Sequence, residues 1–295
     1  MSALISIIQL CRPKEWVKNL FVLLPLFFSG NLFNFPLLAE SFVALISFCL
    51  ASSAIYCLND LMDVESDRRH PAKRLRPLAS GKVGSQACIV TMAFLGISAV
   101  AVLLTLPPVK AAMTTIVVAA YLLLNSAYCL RLKRIALIDV VCVALGFVLR
   151  VVAGGAATGV YVSHWIIIMT FLLALFLSLC KRRDDIVIYN TTGEIMRHNI
   201  TRYNLEFINQ ATTLVSTVML VSYVMYTVSA DVTARFNSGY VYVTSVFVLL
   251  GLLRYIQLTV VDERSGSPTR VFLNDRFIQA CVAGWFLTFA TIIYL

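Results

Sequence analysis

The chain has 295 residues, of which 60% are hydrophobic and 13% are charged. A soluble globular domain carries roughly 25% charged residues, so this composition excludes an ordinary soluble domain and indicates an integral membrane protein. The net charge of +9 requires no nucleic-acid partner, because basic loops on one side of a membrane and anionic lipid account for it. The eight cysteines are scattered without a CxxC pair, which is typical of small buried hydrophobes rather than disulfides or metal ligands.

Nine apolar segments follow one another along the chain, and together they predict an all-α membrane fold with nine transmembrane helices. The first segment is short, and it follows Arg12-Pro13-Lys14-Glu15-Trp16-Val17-Lys18, a basic, Trp-containing stretch typical of a membrane interface. No repeat or low-complexity segment stands out, and we expect one domain over residues 1–295. The predicted segments are 17–33, 37–58, 87–106, 111–130, 135–153, 164–180, 207–230, 240–261 and 276–295.

The basic residues are distributed unequally over the loops between these segments. With nine spans, 20 of the 24 Lys and Arg residues fall on one side and two on the other, while Arg150 and Arg254 lie within segments. Basic loops stay in the cytoplasm. The asymmetry therefore predicts a cytoplasmic N-terminus, an external C-terminus and, in a bacterium, a multi-pass protein of the inner (plasma) membrane.

The second apolar segment ends in the acidic motif Asn59-Asp60-Leu61-Met62-Asp63-Val64-Glu65-Ser66-Asp67. If the helix continues past Leu58, the spacing i, i+3 and i+7 puts Asp60, Asp63 and Asp67 on one face. Like charges in this arrangement repel unless cations lie between them, and hard oxygen ligands suit Mg²⁺. The motif predicts a Mg²⁺ site (Mn²⁺ would also fit) that holds a diphosphate. A solvated helix end is the alternative, but it would not need the basic loop HPAKRLRPLASGK that follows.

Other charged side chains lie at the predicted cytoplasmic ends of helices, where acids and bases usually line a polar cavity. We therefore expect the nine helices to surround a central cavity that is open to the cytoplasmic side. Lys181-Arg182-Arg183-Asp184-Asp185 ends the sixth segment. Arg150 lies inside the run LGFVLRVVAGG, and it is either an anion ligand facing the cavity or a structural arginine that snorkels or has an ion-pair partner.

The motif NDLMDVESD, at the end of the second of nine helices, resembles the first aspartate-rich motif of the UbiA-type membrane prenyltransferases. Most members of that superfamily carry a second motif, DxxxD, at the end of the sixth helix, where this chain has KRRDD. The chain is similar to the polyprenyl-phosphate phosphoribosyltransferase branch, typified by decaprenyl-phosphate phosphoribosyltransferases, in the order and spacing of four motifs. These are RPKEWVKN at 12–19, NDLMDVESDRRHPAKRLRPLASG at 59–81, YCLRLKRIALIDV at 128–140 and KRRDD at 181–185.

This resemblance implies an enzyme that moves the 5-phosphoribosyl group from phosphoribosyl diphosphate to a polyprenyl phosphate. The roles it implies for individual residues fall into three groups. Asp60, Asp63 and Lys181 are the predicted catalytic residues, and Asp60, Asp63 and Asp67 the predicted Mg²⁺ ligands. The predicted donor-binding residues are Asn59, Lys73, Arg76, Tyr128, Lys133, Asp184 and Asp185. The predicted acceptor-binding residues are Lys14, Lys18, Arg150, Lys181 and Arg182.

Several of these assignments have structural alternatives that the sequence leaves open. Lys14 and Lys18 also fit as plain interfacial anchors, and Lys133 as a topology signal. Asp184 and Asp185 would either bind a second Mg²⁺ or pair with neighbouring arginines. A prenyltransferase that uses a prenyl diphosphate and an aromatic acceptor is the alternative function, and the missing DxxxD motif argues against it. A transporter is disfavoured because charges are confined to one side. A homo-oligomer is compatible with the sequence.

Overall fold

The computed structural model describes residues 2–69, 73–193, 199–263 and 268–294, and for residues 2–4, 69, 269 and 270 it describes the backbone alone. The regular secondary structure of these residues is entirely helical, with no β-strand among them. An eleven-residue 3₁₀ segment, Pro13–Leu23, lies between the first two α-helices. The α-helices are α1 (Ser2–Cys11), α2 (Leu24–Phe28), α3 (Phe35–Arg69), α4 (Ser85–Ala101), α5 (Pro108–Leu130), α6 (Ile138–Thr158), α7 (His164–Thr192), α8 (Leu205–Val228), α9 (Ala230–Phe236), α10 (Thr244–Val260), α11 (Pro268–Asn274) and α12 (Arg276–Tyr294).

Eight helices in the described residues are long and apolar enough to cross a membrane, which confirms a multi-pass membrane protein. They correspond to the second through ninth predicted segments. The first predicted segment, 17–33, is not one α-helix, so the predicted count of nine is not confirmed. Instead, the 3₁₀ segment runs into α2, which has five residues. At rises of about 2.0 Å and 1.5 Å per residue the two pieces together are about 30 Å long, close to the thickness of a bilayer's hydrocarbon core.

The chain divides into two compact units that share α6. The first comprises residues 1–133 and 145–163, and the second comprises 134–144 and 164–295. The prediction of one domain over residues 1–295 stays a prediction, and so does the predicted central cavity. All eight cysteines are free thiols, and seven of them are buried, as the sequence predicts.

Helix α3 is the centre of the first unit. It buries small side chains along its length, among them Ala44, Ser47, Ala51 and Ser53, none of which has exposed surface. Small residues allow neighbouring backbones to come close, as in other membrane helix pairs. The Ser47 hydroxyl, for example, donates a 2.7 Å hydrogen bond to the carbonyl of Ala99 in α4. This packing fixes the polar end of α3, which carries the acidic motif.

The 3₁₀ segment packs against α3 through every third residue, as its three-residue turn requires. The Trp16 indole donates a 3.1 Å hydrogen bond to Ser53. Asn19, fully buried, donates a 3.2 Å bond to Ser52. Val22, also fully buried, belongs to the apolar core of the unit. Trp16, Asn19 and Val22 therefore form one continuous face, which an α-helix with 3.6 residues per turn would have rotated apart.

Gly154 of α6 is expected to tolerate no side chain. A Cβ added there would lie 1.9 Å from the carbonyl oxygen of Val22, so the backbone itself would have to move. We expect Gly154→Ala to lower the free energy of unfolding by about 3 kcal/mol, the upper part of the usual range for overpacking. Thermal unfolding in detergent would measure the loss. Gly96→Ala is the matched control, because nothing lies within 4 Å of a Cβ at this α4 position, and an unchanged melting point for Gly154→Ala would contradict the close approach.

Candidate functional site

The acidic motif lies in the last turns of α3, which continues without a break to Arg69. This confirms the predicted extension of the helix past Leu58. Asp60 and Asp67 share a face, because one nitrogen of Arg76 contacts both carboxylates, at 3.2 Å and 2.5 Å. The predicted spacing therefore brings carboxylates two turns apart to a common cation.

Three cations from three different segments pair with the three aspartates. Arg12, which precedes the 3₁₀ segment, forms a short ion pair with Asp60. Arg76, in the loop after α3, pairs with Asp60 and Asp67. Lys133, in the turn after α5, lies 2.5 Å from Asp63. The acid cluster, meaning these three aspartates and their three basic partners, thus carries equal numbers of positive and negative charges.

Burial explains why these pairs form. Asp60 and Asp67 are 2% and 3% exposed, and an ionised carboxylate at that depth requires a compensating charge. The Asp63 side chain, by contrast, is 30% exposed. Arg12 adopts a left-handed backbone conformation, φ 51° and ψ 59°, which is costly for a residue with a side chain. The ion pair with Asp60 and a Tyr56 ring 4.8 Å from the guanidinium hold it there.

The donor set of the acid cluster fits Mg²⁺ in chemistry, since all the acidic oxygens are hard ligands. In the described part of the chain, no three His, Cys, Asp or Glu side chains converge into a ready-made metal cage. That is compatible with Mg²⁺, which proteins usually hold by one or two carboxylates together with water and substrate phosphates. Carboxylates among Asp60, Asp63 and Asp67 would supply these one or two protein ligands.

The other predicted donor-binding residues of the first unit lie around this cluster or on neighbouring turns. Asn59, half-buried, accepts a long 3.7 Å hydrogen bond from the Cys129 thiol at the end of α5. Tyr128, on the preceding residue of α5, packs against the apolar core of the unit. Lys73, half-buried, begins a short 3₁₀ turn three residues before Arg76.

The predicted acceptor-binding residues of the first unit have different surroundings. Lys14 is exposed, and Lys18 pairs with Glu15 at 2.5 Å within the 3₁₀ segment. Arg150 is buried and donates to Asn19 Oδ1 at 2.8 Å, to the Gly146 carbonyl at 2.7 Å and to Tyr121 at 3.1 Å. Of the two readings of Arg150, these contacts support a structural arginine, although its partners are neutral groups instead of a carboxylate.

The KRRDD motif of the second unit lies inside α7, which runs on to Thr192, and not at the start of a loop. Arg182 is 2% exposed and donates a 2.7 Å hydrogen bond to Asp139, which has no exposed surface. It also contacts Asp185 at 3.4 Å. Of the two readings of Asp185, pairing with an arginine is therefore the one that the contacts support.

Tyr203 completes this buried ionic group. Its hydroxyl donates to Asp139 at 2.8 Å and accepts from the backbone N–H of Leu137 at 2.6 Å. Burial raises the pKa of Tyr203, so the hydroxyl keeps its proton and remains a donor. The bond also holds Leu137 in a left-handed conformation, φ 67°. The role of Tyr203 has no signal in the sequence, since it depends on contacts with residues more than 60 positions away.

Arg183 has a capping role at the end of a neighbouring helix. It is 5% exposed and donates to the Thr259 carbonyl at 2.6 Å, in the last turn of α10. A second bond, of 3.0 Å, joins it to Asn209 of α8. Cations at helix C-termini satisfy carbonyls that the helix leaves without partners. Asp184 and Asp185 are buried as well, and Lys181 is the half-buried residue of the motif.

Arg182→Met is expected to lower the free energy of unfolding by about 3–5 kcal/mol, because it leaves Asp139 buried without its cation. The double variant Asp139→Asn/Arg182→Met should recover part of the loss, since neither charge then remains. Denaturant unfolding in detergent would measure both. Arg68→Met, which breaks a surface pair with Glu65, is the matched control and should cost less than about 1 kcal/mol. Equal effects of the two single substitutions would contradict the assignment.

Several known proteins are similar to this chain in sequence over nearly its whole length. Decaprenyl-phosphate phosphoribosyltransferase of Mycolicibacterium smegmatis is 32% identical, over 98% of this chain and 92% of its own. The Mycobacterium tuberculosis protein of the same name is 30% identical, over 96% of this chain and 92% of its own. The corresponding Corynebacterium glutamicum protein is 29% identical, over 98% of this chain and 87% of its own.

Solved structures with little sequence identity show the same fold. A UbiA homologue from Archaeoglobus fulgidus, bound to DMAPP and Mg²⁺, superposes with a TM-score of 0.72 at 16% identity, covering 98% of this chain and 99% of that one. The family model of the UbiA prenyltransferase family matches residues 20–281. This match spans α3 with its three aspartates and the KRRDD motif, so the chain belongs to the UbiA prenyltransferase family.

Proposed function

We propose that the protein transfers the 5-phosphoribosyl group of phosphoribosyl diphosphate to a polyprenyl phosphate and releases pyrophosphate. The observation that carries this proposal is the 32% identity, over nearly the whole chain, to a decaprenyl-phosphate phosphoribosyltransferase. The site chemistry agrees with it. Each aspartate of the acid cluster has a basic partner, and KRRDD stands where a prenyl-diphosphate enzyme of the family usually has a second acidic motif.

The acid cluster is the proposed donor site. In the reaction, the bond between C1 of ribose and the diphosphate oxygen breaks, and an oxygen of the lipid phosphate bonds to C1. Negative charge then grows on the departing pyrophosphate. Carboxylates among Asp60, Asp63 and Asp67 would hold a Mg²⁺ ion, which would neutralise part of that charge. Arg76 and Lys133 lie beside the same carboxylates, so they can bind the diphosphate oxygens directly, Arg76 through two parallel N–H groups.

The acceptor needs a cation rather than a general base, because a phosphate monoester is already an anion at neutral pH. Lys181 is the proposed seat for this phosphate. Within the second unit, Arg182 and Arg183 are committed to Asp139 and to the Thr259 carbonyl. Arg182 would then act on Lys181 by fixing this part of α7. Lys14, Lys18 and Arg150 remain proposed contributors to acceptor binding, and Lys73, Tyr128, Asp184 and Asp185 to donor binding.

The proposal extends to the location of the site. We place the protein in the bacterial inner membrane, with the N-terminus and the acid cluster on the cytoplasmic side and the C-terminus outside. The basic loops support this placement. Both substrates are anionic, and phosphoribosyl diphosphate is water-soluble, so a cytoplasmic opening would give the donor direct access.

The experiment is a transfer assay with purified full-length protein, Mg²⁺, labelled phosphoribosyl diphosphate and a polyprenyl phosphate. The expected result is a labelled lipid and an equal amount of pyrophosphate. A parallel reaction with a prenyl diphosphate and 4-hydroxybenzoate tests the family's other chemistry, and we expect no product from it. Robust prenylation of the aromatic acid, with no labelled lipid phosphate, would overturn the proposal.

A further inference from the structure

We propose that Arg12, Arg76 and Lys133 are internal counter-ions of the acid cluster, which a metal ion and a diphosphate replace together. Each basic residue would move from a carboxylate to a phosphate oxygen as the carboxylates turn to the metal. Metal and diphosphate would consequently bind with strong positive coupling, and each would bind weakly alone. This inference rests on the proposed donor site and adds an order and an energetic coupling to it.

The charge balance of the cluster is the first argument. Three carboxylates face three cations, so the cluster is close to neutral before any ligand binds. A divalent metal alone would raise its charge by two units in a largely buried place. A diphosphate alone would lower it by about three units. A metal–diphosphate complex carries only about one net negative charge, so the pair disturbs the balance least.

The positions of the cations are the second argument. One nitrogen of Arg76 stands between Asp60 and Asp67, within hydrogen-bond distance of both. A metal bound by these carboxylates must compete with that guanidinium. Lys133 forms an ion pair with an Asp63 oxygen, so a metal bound there must compete with this ammonium group. If the metal displaced these side chains without a diphosphate, they would lose their carboxylate partners while still largely buried, since Arg76 and Lys133 are 27% and 15% exposed.

The arrangement of the acids is the third argument. In the described residues no three acidic, His or Cys side chains form a preformed cage. A metal that uses two carboxylates needs its remaining ligands from elsewhere, and substrate phosphates are the usual source for Mg²⁺. The chain therefore provides half of a coordination shell, which the diphosphate would complete.

The coupling can be measured by binding alone. Equilibrium dialysis of the purified full-length protein would give the affinity for Mn²⁺ without and with inorganic pyrophosphate, after correction for the metal–pyrophosphate complex in solution. We expect pyrophosphate to tighten Mn²⁺ binding on the order of 30-fold, and Mn²⁺ to tighten pyrophosphate binding by the same factor, as linkage requires. Mn²⁺ binding that is equally tight with and without pyrophosphate would overturn the inference.

Variants separate displacement from simple loss of a phosphate ligand. Lys133→Met removes the competitor at Asp63, so Mn²⁺ alone should bind about tenfold tighter while the coupling falls. An ordinary phosphate ligand would not change the affinity for metal alone. Arg74→Gln is the matched control, because Arg74 is an exposed cation of the same loop as Arg76, and it should keep the full coupling. Weaker Mn²⁺ binding in Lys133→Met would contradict the counter-ion role.

The transfer assay distinguishes this inference from the proposed function. A protein that forms the phosphoribosyl lipid but shows no coupling would keep its function and refute the counter-ion exchange. A protein that shows the coupling but makes no phosphoribosyl lipid would support the counter-ion exchange and refute the proposed function. That result would point to another diphosphate donor.

Discussion

Asp63→Asn is expected to lower phosphoribosyl transfer at least about 100-fold while leaving the protein folded. Asparagine keeps the shape of the side chain but removes the charge that holds a metal beside the leaving pyrophosphate. Loss of one preorganised electrostatic group typically costs 10²–10³ in rate. Asp63 is better suited to this test than Asp60, because its side chain is 30% exposed whereas Asp60 is buried between two arginines. Initial rates with saturating polyprenyl phosphate would measure the effect.

Glu65→Gln is the matched control for this substitution. Glu65 lies on the same helix two residues further on, its side chain is 74% exposed, and its cation Arg68 is also exposed. Its loss should leave the rate within about twofold, since surface ion pairs contribute little. Addition of EDTA should abolish transfer by the unmodified protein, and Mg²⁺ or Mn²⁺ should restore it. Full activity of Asp63→Asn, or of the protein in EDTA, would show that the acid cluster is not the metal site.

Lys181→Met is expected to lower kcat/KM for the polyprenyl phosphate about 10- to 100-fold with little change in KM for phosphoribosyl diphosphate. A hydrogen bond to a charged group contributes roughly 1.5–3 kcal/mol, which sets this range. Methionine keeps the length and apolar stem of lysine, so the packing of α7 should survive. Steady-state kinetics with each substrate varied in turn would separate acceptor from donor effects.

Arg202→Gln serves as the control for Lys181. Arg202 is an exposed cation of the same unit, in the 3₁₀ turn before α8. Its substitution removes one positive charge from the unit and should leave both KM values unchanged. A rise in the donor KM of Lys181→Met, with an unaltered acceptor KM, would assign Lys181 to the donor instead.

The sequence predicts the elements that depend on local pattern. Residues 37–69 contain no glycine or proline, which allows α3 to extend to Arg69, and the shared face of Asp60 and Asp67 follows from helix geometry. The first span is different. Apolar composition alone cannot separate an α-helix from a 3₁₀ segment. Only the contacts of Trp16, Asn19 and Val22 with the rest of the unit reveal the three-residue period.

Partnerships across the chain are the part of the site that the sequence cannot predict. Arg12 pairs with Asp60 over 48 positions, and Arg182 with Asp139 over 43. Many basic residues precede the helices of a membrane protein as topology signals, so nothing local distinguishes Arg12 from Lys14. Arg182 and Lys181 are adjacent in a basic motif, but folding buries one against carboxylates and leaves the other half-exposed.

The 3₁₀ segment at residues 13–23 affects whether the chain crosses the membrane an even or an odd number of times. Eight crossings would return the last residue to the side where the first one started, whereas nine would separate them. The sixteen residues 13–28 determine which of these outcomes holds. A 3₁₀ segment rises a third further per residue than an α-helix, so it needs fewer residues to reach the far interface. A count of α-helices by length would miss such a crossing and would assign one chain end to the wrong side of the membrane. With nine crossings, tags placed beside Ser2 and beside Tyr294 would face solutions on opposite sides of the membrane; with eight, they would face the same solution.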